Sequence, residues 1–193
     1  MLFRSQSIKF VVDYIYFEYY QRTGNQARAD HYYARINPAV AETSSRPIFS
    51  FYVTEFLQSK VDRFMSNNKV EELADINGEL ESNFDTTAEE PFPFITFRMY
   101  QAIGKFYQND FATSAKIINN LRNELSLKKF LYSDIESKLF QALQYAFMGE
   151  DGLCSQLLQS VKRQIPDDDN RYEPANAMIK ILKAALKPEE FRK

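Results

Sequence analysis

Few residues in this chain could do chemistry. His31 is the single histidine, and it stands beside Asp30 on a predicted helix. Neighbours at i and i+1 point apart on a helix, and general acid–base work needs both a partner and a pocket. Cys154 is the single cysteine. An internal disulfide and a cysteine-built zinc site are excluded, and a nucleophilic role would lack its histidine base. Glu89-Glu90 and Asp167-Asp168-Asp169 gather carboxylates. They lack the alternating oxygen ligands and central glycine of a calcium loop, so they read as solvated loops. No phosphate-binding glycine loop, dinucleotide fingerprint or paired-histidine zinc motif occurs. The chain is therefore expected to use no cofactor or metal and not to be an enzyme. An enzymatic reading would require a deep pocket with two or more strongly perturbed acids.

Aromatic residues are in excess instead: twelve Tyr and seventeen Phe in 193 residues, with no Trp. Tyrosines crowd the first two predicted helices. Tyr20 and Tyr33 suit core positions. Tyr14, Tyr16 and Tyr19 exceed what a core needs, and tyrosine is enriched at protein interfaces. The expected partners are therefore a protein or peptide, or a second copy bound through the N-terminal helix. Net charge is −2, from 24 basic and 26 acidic residues mixed along the chain. Without a basic excess or stripe, nucleic acid is not an expected partner. Leu2 to Tyr20 is apolar but interrupted by Lys9, Asp13 and Glu18. That pattern fits neither a membrane span nor a signal peptide, so no membrane partner and a cytoplasmic location are expected.

These residues must be positioned by helices. Apolar residues make up 45% of the chain, enough for a core, and five Gly are too few for an all-β fold. Ile8, Val11, Val12, Ile15 and Tyr19 recur at helical spacing, and Tyr14, Tyr16, Phe17 and Tyr20 widen that face to most of the circumference. Gly24 supplies a left-handed stop. A second helix spans about 26–37 on Ala29, Tyr32, Tyr33 and Ile36, with Pro38 at its end. A third spans about 48–66 on Phe49, Tyr52, Val53, Phe56, Leu57, Val61 and Phe64, and a fourth about 70–81. Residues 83–93 read as an acidic, proline-containing loop. Helices near 94–108, 111–125, 134–148 and 153–164 follow. Ser133-Asp134-Ile135-Glu136 has the form of a capping box. Pro174 opens a last helix with Met178, Ile181, Leu182, Ala185 and Leu186 on one stripe and Asn176, Lys180, Lys183 and Lys187 opposite.

The stretch 99–165 holds one helix-turn-helix written twice, 40 residues apart and without a gap. Tyr100-Gln101-Ala102-Ile103 falls on Phe140-Gln141-Ala142-Leu143, and Ile117-Ile118 falls on Leu157-Leu158. Turn residues Gly24, Asn68, Asn109 and Gly149 stand 44, 41 and 40 positions apart. A fixed period in this range marks stacked helix pairs. The expected fold is all-α: an α-α superhelix, or solenoid, of about four antiparallel pairs plus a C-terminal capping helix. It would form one domain over 1–193, with a subdivision into 1–83 and 94–193 about the 84–93 linker.

The last unit resembles a tetratricopeptide repeat through Ala142, Tyr145, Gly149, Cys154, Leu158 and Pro166. The first matches through Tyr20, Gly24, Ala29 and Tyr33, and the third through Ala102, Ser114, Ile118 and Leu121. The third has Lys105 where the family has an aromatic, and the second unit fits least. The resemblance implies a protein-interaction scaffold whose ligand lies on the face made by the first helix of each pair. Carried over residue by residue, that face comprises Tyr14, Glu18, Asp62, Met99, Ile103, Tyr107, Leu143 and Phe147. The family's Lys/Asn clamp for a peptide carboxylate is not visible. The mixed apolar and acidic face would favour helical or extended segments with apolar and basic residues. The alternative is a regulatory or fragment domain of a larger assembly that self-associates through its aromatic N-terminal helix.

Overall fold

The computed structural model describes residues 2–40, 50–67, 90–166 and 169–186. The expected helix at 70–81, the Asn68 turn, Phe49 and most of the 83–93 loop lie outside them. Every regular element among the described residues is helical. The helices are α1 (Leu2–Arg22), α2 (Gln26–Ile36), α3 (Ser50–Asn67), α4 (Pro91–Tyr107), α5 (Phe111–Glu124), α6 (Leu131–Phe147), α7 (Asp151–Gln164) and α8 (Glu173–Ala185). They pack as sequence neighbours. The chain divides into two compact units, Met1–Tyr100 and Gln101–Lys193, and α4 contributes to both.

The 40-residue period is a structural fact. Adding 40 to both ends of α4 and of α5 gives the ends of α6 and of α7. Burial repeats with the same step: Ala102 and Ala142, Ser114 and Cys154, Ile118 and Leu158, and Leu121 and Val161 are all fully buried. Small side chains at the first two pairs let helices approach. The Ser114 hydroxyl donates to the Ala102 carbonyl at 2.5 Å, a bond that joins α5 to α4.

One turn design joins α1 to α2, α4 to α5 and α6 to α7. Gly24, Asn109 and Gly149 each hold positive φ, at 73°, 62° and 73°. Each donates its N–H three residues back, and the following N–H reaches five back, for example Asn109 to Phe106 at 2.9 Å and Asp110 to Lys105 at 3.0 Å. This is the Schellman pattern, which satisfies carbonyls that the helix end leaves open. The next residue starts the partner helix. Asn25 and Asp110 accept from the N–H groups of Arg28 and Thr113, as N-caps do. Gly149→Ala is expected to cost about 1–2 kcal/mol, because a side chain resists this left-handed backbone. An added Cβ there meets nothing within 4 Å, so the cost is conformational. Gly149→Asn should lose less, since Asn109 already fills the equivalent place. Urea denaturation of the three proteins would rank them.

Several boundaries differ from expectation. α4 starts at Pro91, not Phe94, because the N–H groups of a first helical turn have no partner inside the helix. Pro91 and Pro93 therefore forfeit nothing, and the first bond runs from Phe94 N–H to the Glu90 carbonyl at 3.1 Å. The capping box is not used. A short 3₁₀ turn at Leu127–Lys129 tucks Leu127 inside, and α6 begins directly after it, following Phe130 with no side-chain cap. Ser133 to Glu136 thus lie within the helix. In α8, Ile179 and Leu182 are the buried pair, with Met178 and Leu186 packed beside them. Ile181 faces out, 63% exposed. Both Ile residues lie within the apolar run, and the α6–α7 surface selects the one that is covered.

Candidate functional site

α1 carries two apolar stripes with related spacing. Phe10, Tyr14 and Phe17, at i, i+4 and i+7, are buried. Their rings meet Phe56 of α3 at centroid distances of 6.3, 6.5 and 5.9 Å, and Phe17 also meets Tyr33 of α2 at 5.9 Å. Ile8, Val12, Ile15 and Tyr19 form the second stripe and are 59, 43, 56 and 59% exposed. Sequence spacing makes α1 apolar over most of its circumference; of the three tyrosines expected to exceed the core, Tyr16 and Tyr19 are exposed but Tyr14 is buried. The covered side is the one whose rings pack on Phe56 and Tyr33. The exposed stripe runs along the solvent side of a helix whose opposite side is core.

A tyrosine cluster borders it. Tyr16 and Tyr20 stack on Tyr32 at 5.1 and 5.7 Å with interplanar angles of 18° and 12°. Arg28 and Arg35 lie 5.2 and 5.5 Å from the Tyr20 and Tyr32 ring centroids, within cation–π range. The Arg28 guanidinium also donates to the Tyr20 hydroxyl at 2.6 Å. Arg35 pairs with the buried Asp13 at 2.9 Å, which anchors α2 to α1. The rings are therefore held in place by charge and stacking.

The residues expected to line a groove are distributed as follows. Tyr14 is a core residue, edge-on to Tyr52 and Phe56. Burial, then the Glu18 charge, push its hydroxyl up to about 12. Glu18 is half-buried, accepts from the Ser59 hydroxyl, and pairs with Arg22 at 3.1 Å. Asp62 is exposed, one turn beyond Ser59 on α3. Met99, Ile103 and Tyr107 are half-buried along α4. Leu143 packs against the core of the second unit. Phe147 is 59% exposed and stacks on Phe111 at 4.9 Å, with Phe106 edge-on at 5.5 Å. Glu18 and Tyr14 adjoin in the first unit, and Leu143 and Phe147 share α6 in the second.

The groups weighed for chemistry have structural places. Cys154 is fully buried at the small-residue position of α7, and burial, reinforced by Asp151, pushes its thiol up, away from nucleophilic reactivity. His31 is exposed, its ring edge-on to Tyr32 at 5.1 Å. Asp169 is held below the usual carboxylate range by hydrogen bonds from Arg171. Glu89, Asp167 and Asp168 lie outside the described residues. Among the described residues no helix is long and apolar enough to cross a membrane.

A buried polar cluster in the second unit escaped sequence reasoning. Asp134 accepts from Lys138 Nζ at 2.6 Å and from Gln164 Nε2 at 2.7 Å, and Lys138 also donates to Gln164 Oε1 at 2.9 Å. Arg122 Nε lies 3.9 Å from the same carboxylate. Burial would raise the Asp134 carboxyl, but the hydrogen bonds from Lys138 and Gln164 and the Lys138 and Arg122 charges outweigh it, so it is held low. Only the i,i+4 spacing of Asp134 and Lys138 signalled this, and that spacing is common on exposed helix faces.

No family model, no curated protein and no solved structure matches this chain.

Proposed function

We propose that this chain is a non-enzymatic helical-repeat interaction module of tetratricopeptide-like type, acting in the cytoplasm, and that the outer stripe of α1 is its protein-binding surface. The observation that carries the reading is that stripe: Ile8, Val12, Ile15 and Tyr19 in one line, all exposed on a helix whose other side is core. Exposed apolar side chains gathered in one patch mark interaction sites more often than scattered ones do. The matching helix ends and burial of the two 40-residue units support a stacked-repeat architecture. Such arrays serve as extended binding surfaces.

The spacing along the stripe favours a second copy of the chain as occupant. The steps from Ile8 to Val12, Ile15 and Tyr19 are 4, 3 and 4. Read backwards, they are the same. A two-fold axis that lays two α1 helices antiparallel therefore sets Ile8 against Tyr19 and Val12 against Ile15, in the a-against-d layers of an antiparallel coiled coil. Light scattering after size exclusion should give a dimer mass that falls to the monomer for Ile15→Glu, with unchanged helical circular dichroism. A wild-type monomer at about 100 μM would remove the second copy as occupant. If Ile15→Glu and Tyr19→Glu also left binding to every captured protein intact, the interaction reading of this surface would fail.

A further inference from the structure

We propose that the second unit holds a binding site for a phosphoryl group, in a cavity of about 290 Å3 beside the Asp134–Lys138 pair. The walls come from four stretches of chain. Asn119, Arg122 and Asn123 share one face of the last turns of α5. Ser126, Leu127 and Lys128 come from the following turn, Asp134 and Lys138 from α6, and Gln164 from the end of α7. Leu127 is buried and closes the apolar side.

The charge balance selects the ligand. Among the described lining residues three cations face one carboxylate. That carboxylate is already engaged by Lys138 and Gln164, so Asp134 and Lys138 cancel. Arg122, 3.9 Å from the same carboxylate, and Lys128 leave the described walls net positive, and among the described residues of the walls a metal cation finds no free carboxylate. Arg122 is held in place, because its Nη1 donates to Gln141 Oε1 at 3.2 Å while Nε rests by Asp134. Its Nη2 makes no hydrogen bond to the described residues. A guanidinium fixed in this way loses little entropy on binding an oxyanion. The side chains of Asn119, Asn123, Ser126 and Lys128 also make no hydrogen bonds to described residues. Two amides, a hydroxyl, an ammonium and a guanidinium thus surround the hollow, a donor set suited to several phosphate oxygens. The volume admits the phosphoryl group and a few atoms of a carrier.

The test is titration of the full chain with inorganic phosphate, O-phosphoserine and serine at constant ionic strength, followed by 1H–15N correlation spectra. Saturable shifts are expected at Asn119, Asn123 and Ser126–Lys128, with serine inert. Lys128→Ala, a change at an exposed position, and Arg122→Gln should each weaken binding roughly ten-fold or more. Tighter binding of phosphoserine than of phosphate would mark a carrier-borne group, and equal affinities the free ion; either supports the site. Inert phosphate and phosphoserine, or affinities unchanged in both variants, would overturn it.

Discussion

Lys138→Met should destabilise the second unit by about 3–5 kcal/mol at neutral pH, the usual effect of removing one partner from a buried ion pair. Lys138 and Asp134 are 6% and 5% exposed, so only water from the adjoining cavity could stand in for the lost ammonium, and it carries no charge. Gln164 would still donate to the carboxylate, but among the described residues the only charge left near it would be Arg122 at 3.9 Å, beyond hydrogen-bond distance. The double variant Asp134→Asn/Lys138→Met should recover much of the loss, since neither buried charge of the pair remains. The pH dependence has a definite sign. In the wild type the folded-state Asp134 carboxyl lies below its unfolded value. Its contribution is fully present above the unfolded carboxylate range, near pH 4, and is lost as pH falls through the lower folded value. In Lys138→Met the hydrogen bond and charge from Lys138 go while burial stays, so the folded carboxyl moves up and acidification costs this variant less. Denaturant midpoints against pH should therefore converge for the two proteins on the acid side. Parallel curves would show that Asp134 does not feel Lys138.

Phe56→Ala should cost the first unit about 3–5 kcal/mol. Its side chain is fully buried where α1, α2 and α3 meet. Rings from two other helices surround it: Phe10, Tyr14 and Phe17 from α1, and Tyr33 from α2 at 5.7 Å. Truncation leaves a hole that rigid rings cannot close, and the edge-on contacts are lost as well. Phe56→Leu, which keeps most of the volume, should cost far less. Amide hydrogen exchange separates the units: protection in α1 to α3 should drop in Phe56→Ala, ahead of α6 and α7. Uniform loss of protection along the whole chain would contradict this assignment of the core.

The two variants probe opposite kinds of buried contact, and the sequence announces them unequally. Phe56 lies on a plain apolar stripe at helical spacing, and its burial follows from the pattern alone. Lys138 and Asp134 read as an ordinary surface pair. They become interior only because the ends of α5 and α7 close over that part of α6. Lys60 is a similar case, fully buried on α3 with its ammonium 3.1 Å from Asn37 Oδ1. A charged residue on a helix gives no local sign of such burial, since long side chains usually reach water.

What the amino-acid sequence determined alone was local or periodic. Gly24, Asn109 and Gly149 specify left-handed turns through the absence or tolerance of a Cβ, and the structure has positive φ at all three. The 40-residue repeat specifies matching helices, because equal side-chain patterns face equal neighbours. What the tertiary structure decided was which of two eligible faces is covered. On α1 both the Phe10–Tyr14–Phe17 and the Ile8–Val12–Ile15–Tyr19 stripes satisfy helical spacing, and on α8 Ile179 and Ile181 compete in the same run. Spacing records that a face is apolar; only the shape of the arriving helix determines whether rings or aliphatic chains are covered, and so which stripe is left exposed.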